Sequence, residues 1–144
     1  MSDPKDSSAV KLFDLERLRA LNASAGFNAW SGIQVVKAGE GEAELHLRPR
    51  KDLEQYSGFL HAGLIAALLD TAAGFAAATL VGPVMASHFS VSCLLPAVGS
   101  SFEAMGRVVR AGKRQIFGRS ELHAITPSGE RKLVATAEVL MLAT

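Results

Sequence analysis

Between Ala62 and Val81 the chain runs for twenty residues with one charge, Asp70. A carboxylate in such company can act as a nucleophile or as a base that activates water. Burying it without a partner is costly. His61 stands nine residues before it and Gln55 six before that, the latter offering two side-chain N–H donors. If 62–81 is a helix, its first N–H groups lack intrahelical partners and carry the positive end of the dipole. A carboxylate and a set of donors are the parts needed to attack a carbonyl and hold the resulting oxyanion.

At helical period the run has two sides. Gly63, Ala66, Ala67, Ala73, Gly74 and Ala77 share Asp70's side, and all are small. Ile65, Leu68, Ala72, Phe75 and Thr79 lie opposite, with Leu64 at the margin. The large-residue side is expected to pack on a sheet. The small-residue side leaves room for a second backbone or a slender ligand. Gly82-Pro83 ends the helix. About 20 apolar residues also suit a membrane span. The abundance of Ala and Gly argues against that, as does a central Asp, which costs about 2.5–3.5 kcal/mol on insertion scales. The better reading is the central helix of a soluble domain, buried all round.

Around it, residues 1–9 are polar and expected to be flexible, leaving 10–144 as a single domain. Leu12, Phe13, Leu15, Leu18 and Leu21 predict an amphipathic helix from Val10 to about Ala25. Gly32 to Lys37 reads as a strand, Gly39-Glu-Gly41 as a turn, and Glu42 to Arg48 as an alternating strand. Four further strands follow at about 84–95, 101–110, 114–125 and 132–142, with turns at Ala97–Ser100, Ala111-Gly112 and Pro127–Glu130. This order predicts an α+β fold: one antiparallel sheet wrapped around a long central helix, with an N-terminal helix.

Composition excludes several classes. Fifteen basic and fourteen acidic side chains give a net charge of +1, against a general nucleic-acid binder. One cysteine, Cys93, rules out an internal disulfide framework and reads as a buried small hydrophobe on an alternating strand. Histidines at 46, 61, 88 and 123 have no metal-ligand spacing, so no metal is expected. No Gly-x-Ser-x-Gly elbow is present. An N-terminus without an apolar signal region implies a cytoplasmic protein with no membrane partner. Arg107, Arg110, Lys113, Arg114 and Arg119 face one acid, Glu103, between 101 and 120, which fits either a solvated turn or a landing site for phosphates.

Gln55, Gly58, His61-Ala62-Gly63 and Leu69-Asp70-Thr71-Ala72 together resemble the hotdog-fold acyl-CoA thioesterases, most nearly their PaaI-like (phenylacetic acid degradation) branch. Leu95-Pro96-Ala97 and Gly106 to Lys113 extend the resemblance, which covers about 30–142. There are two departures. Ala62 replaces the first Gly of the family's His-Gly-Gly, which keeps the backbone amide but adds a methyl. His88-Phe89 stands where many relatives carry Asp-Leu.

The resemblance implies hydrolysis of a thioester to free acid and CoA. It makes Asp70 the reacting carboxylate, as nucleophile or base, and Ala62 N–H the oxyanion donor beside Gly63. Gln55 would hold the carbonyl oxygen or the attacking water, and His61 would order or cap the helix start. Arg110, Lys113 and Arg114 would meet the phosphates of CoA, which is part of the substrate; no separate cofactor is implied. Ala62 and Asp70 are eight residues apart, about 12 Å along a helix. Acting on one thioester, they must come from two subunits, so a homodimer is expected; the family implies its assembly into a homotetramer. The competing readings are a non-catalytic acyl-thioester sensor and a hydroxyacyl-thioester dehydratase pairing His61 with Asp70 across the dimer.

Overall fold

The computed structural model describes residues 12–144, so the expected flexibility of 1–9 lies outside it. Helix α1 (Leu15–Ser24) starts where the Asp14 carboxylate accepts the Arg17 N–H at 2.8 Å. Leu12 to Asp14 are not helical, so the helix begins later than periodicity predicts. A second short helix, α2 (Gly26–Ser31), follows, and its left-handed C-cap Gly32 delays the first strand. That strand, β1 (Gln34–Gly39), turns through Glu40-Gly41 into β2 (Glu42–Leu47). Then come α3 (Ala62–Val81), β3 (Val84–Cys93), β4 (Ser101–Ala111), β5 (Gln115–Ile125) and β6 (Arg131–Ala143).

The six strands form one antiparallel sheet in the order β1-β2-β4-β5-β6-β3. Helix α3 lies against one face and touches every strand. Alternation puts Leu45, Phe102, Ile116, Leu122, Val139 and Met141 beneath it, all fully buried. Two features bring the helix close. At Gly106 a Cβ would stand 2.3 Å from the Ala72 carbonyl, so nothing larger than glycine fits there. Ser120 Oγ, buried on β5, donates to the Leu69 carbonyl at 2.8 Å and ties the helix to the sheet one residue before Asp70.

Three expectations need correction. The helix is not buried all round: Gly63 is exposed and Ala66, Ala67, Asp70, Thr71 and Gly74 are half-covered. Ala73 and Ala77 do not belong to that open stripe; both are buried, because the sheet curls round more than half of the helix. Cys93 is exposed, since β3 is an edge strand with nothing beyond it among the described residues. The apolar stretch long enough to cross a membrane is this core helix.

Candidate active site

The loop before α3 fixes the helix start. His61 N–H donates to the Leu53 carbonyl at 3.0 Å and Leu60 N–H to that of Ala97 at 3.1 Å. His61 is the N-cap, its Nδ1 accepting the Gly63 N–H at 2.8 Å, so its ring proton sits on Nε2. The His61 carbonyl takes the Leu64 and Ile65 N–H groups at 3.0 Å each. Of the first four helical amides, three are therefore committed. Ala62 N–H has no acceptor among the described residues, and Ala62 is exposed. Gly63 supplies space rather than a donor, since a Cβ there would meet His61 Nδ1 at 3.0 Å.

Gln55 sits at the same end of the helix. Its backbone N–H donates to the Phe59 carbonyl at 2.7 Å, and its carbonyl accepts the Gly58 N–H at 3.1 Å. Its side-chain oxygen accepts the Ser57 N–H, which leaves the amide's NH₂ end free to donate outward. Next to it Tyr56 is 99% exposed, an unusual state for so large a ring.

Asp70 lies about 12 Å further along the helix, so the chain does not bring its own Ala62 and Asp70 together. The carboxylate has no hydrogen-bond or ion-pair partner among the described residues, and burial raises its pKa above the ordinary 3.8. It opens into a groove of about 500 Å³ walled by α1, α2, α3 and β3. The reason is local: Gly74 and Thr71 are small, and Pro83 turns the chain away after the helix.

Arg110 is the last residue but one of β4, and Lys113 and Arg114 lie in the turn into β5. All three are exposed and have no acidic partner among the described residues. With Phe117 and Leu142 they line an open hollow of about 680 Å³. Arg119 is different, being paired with Glu138 at 3.1 Å. His88 pairs in register with Leu140, between the inward Val139 and Met141, so it points to the outer face of the sheet.

Sequence reading missed several contacts. His46 gathers with Glu44 at 3.2 Å and Glu103 at 3.7 Å on the outer face, where the acids also meet Lys37 and Arg131. Strand pairing, not spacing along the chain, assembles this cluster. Ser120 was detectable, as a polar residue among the inward positions Ile116, Gly118, Leu122 and Ala124.

The family model of the thioesterase superfamily matches residues 57–129, half of the chain, from the helix-start loop to the turn after β5. The chain belongs to the thioesterase superfamily. It is similar to a Halobacterium salinarum protein with a provisional esterase name, 33% identical over 111 residues and 72% of each chain. A thioesterase family protein from Silicibacter pomeroyi is 30% identical, with a TM-score of 0.83 over 87% of this chain and 93% of that one. A Haemophilus influenzae thioesterase, 22% identical over 92% of this chain and 91% of its own, agrees in fold alone at a TM-score of 0.78. The sheet wrapped on a long helix is this superfamily's hotdog fold. These relationships place the protein among thioester hydrolases.

Proposed function

We propose that this thioesterase hydrolyses an acyl-CoA in sites formed across a homodimer. The observation that carries the proposal is the separation of two uncommitted groups on one helix, the Ala62 N–H and the Asp70 carboxylate. A second α3, laid alongside the half-covered stripe of small residues, puts one chain's Ala62 opposite the other's Asp70. Strand β3 supports such pairing. It is a ten-residue edge with no proline, lysine or acid to discourage a partner strand, and Met85 and Phe89 are exposed on it. A tetramer is the proposed higher assembly.

In this arrangement Asp70 attacks the thioester carbon or takes a proton from the water that does. The carbonyl oxygen becomes an oxyanion, held by the Ala62 N–H and the free end of Gln55. Collapse breaks the carbon–sulfur bond; CoA leaves as thiolate and is then protonated. In the direct route water must also open the resulting anhydride. Arg110, Lys113 and Arg114, cations without acidic partners, are proposed to receive the phosphates of CoA. His61 sets the helix start and contacts no reacting atom.

Thiol release from a panel of acyl-CoA esters tests this reading. Asp70→Asn is expected to lower kcat/KM by about 10²–10⁴-fold while the protein stays dimeric. An unchanged rate would remove Asp70 from the mechanism. Tight binding of acyl-CoA with no thiol release would make the protein an acyl-thioester sensor instead.

A further inference from the structure

On the face of the sheet turned away from α3, strand pairing sets one imidazole between two carboxylates. His46 on β2 lies opposite Glu103 on β4, and Glu44 stands two residues earlier on the same side of β2. Each carboxylate divides its oxygens. Oε2 of Glu44 meets Lys37 Nζ at 3.8 Å, and Oε2 of Glu103 meets Arg131 Nε at 3.2 Å. The two Oε1 atoms converge instead on His46 Nε2, at 3.2 Å from Glu44 and 3.7 Å from Glu103. These three atoms lie within 4.8 Å of one another. The acids are set into the surface, their side chains being only 16% and 23% exposed. In the next strand His123 stands opposite Glu103, and its Nδ1 is buried with no hydrogen-bond partner among the described residues.

We propose that Glu44, His46 and Glu103 bind a first-row divalent transition-metal ion, of the zinc kind, that cross-links β2 to β4. Zinc bonds of about 2.0–2.2 Å put neighbouring corners of a ligand tetrahedron about 3.3–3.6 Å apart. The separations of 3.2 and 3.7 Å at His46 Nε2 reach that geometry with small side-chain shifts. An imidazole with two carboxylates is a zinc donor set, whereas calcium and magnesium are bound through oxygen alone. The ion takes the place of a proton on Nε2, and the imidazole keeps its remaining proton on Nδ1. Arg131 and Lys37 hold the outer oxygens and so orient the inner ones, as hydrogen-bonded partners of metal ligands do. Lys37 is 82% exposed and can swing away from the incoming charge. The fourth position is left to water or to the His123 ring, beside Glu103 in the neighbouring strand. The site lies across the sheet from α3, and so from Asp70 and Ala62, and takes no part in thioester hydrolysis.

The test is calorimetric titration of the chelator-treated full chain with zinc chloride, and with magnesium chloride as the control. Wild type should take up zinc at one ion per chain and no magnesium at the same concentrations. His46→Ala and Glu103→Gln should each weaken zinc binding by about 100-fold or more, since even a partner that only orients a ligand is worth about 10–100-fold. Excess zinc should raise the thermal midpoint of wild type and leave that of His46→Ala where it is. Cobalt(II) as a second probe should give wild type the strong visible absorption of a four-coordinate ion, absent from His46→Ala. Should one variant fail to fold, the other is compared with wild type by the same titration. No zinc uptake by wild type, magnesium bound as tightly as zinc, or zinc binding undiminished in a folded variant would each overturn the proposal.

Discussion

Ala62 occupies the first turn of α3, where a missing N–H costs the helix nothing and a fixed φ is favourable. The preceding His61 has φ −61° and ψ 135°, a backbone that accepts a following proline. Ala62→Pro therefore deletes the proposed oxyanion donor and little else. It is expected to lower kcat by about 10²–10³-fold with the thermal midpoint unchanged; full activity in a folded Ala62→Pro protein would remove this amide from the mechanism. Asp70 makes a second prediction, of stability. Because burial raises its pKa, the folded chain holds this proton more firmly than the unfolded chain does. Between 3.8 and the raised value, stability then falls as pH rises. Asp70→Asn should melt above wild type at neutral pH, and the two should converge as pH falls towards 3.8, as a series of melting curves will show. A mutant less stable than wild type at pH 7 would mean the carboxylate has a partner. At this scale the candidate residues were legible in the sequence, because a lone carboxylate in an apolar run and a Gln-to-His spacing are both visible along the chain. That Gly63's amide is spent on His61, and that Asn28 donates to Asn22, depends on side-chain directions that no spacing encodes.

The helix position is a property of the sheet as much as of α3. Gly106 and Ser120 hold it at a distance and a rotation that put Asp70 at the mouth of the groove. Gly106→Ala would drive a methyl into the Ala72 carbonyl and should destabilise the fold by about 1–3 kcal/mol or more, measured by denaturant unfolding; a neutral result would mean that the helix can shift without penalty. The α3 bounds were legible to the residue, because Gly82-Pro83 stops the helix and His61 precedes its first turn. The two sides of the helix were legible only in part. Periodicity sorts residues by angle, but how much of the circumference a sheet covers is a tertiary fact. Ala73 and Ala77 are thus buried on a side that composition alone marks as open. The end of α1 at about Ala25 was legible, but the six-residue α2 was hidden, for Gly26–Ser31 is too short to show an apolar period.

As a whole molecule the single chain looks unfinished. Its helix has a half-covered stripe, β3 has an edge unpaired among the described residues, Cys93 and Phe89 are exposed on it, and Tyr56 is exposed in the loop before the helix. The proposed partner follows from one length that the sequence carries, the rise of a helix between Ala62 and Asp70. The central claim is that each site takes its carboxylate from one subunit and its helix start from the other. Mixing tests it directly: Asp70→Asn and Ala62→Pro proteins are unfolded together, refolded and assayed for thiol release. Half of the dimers formed are mixed, and each mixed dimer has one intact site, so activity should return to about one quarter of wild type. Activity no higher than that of the two mutants refolded separately would contradict a site shared across the interface.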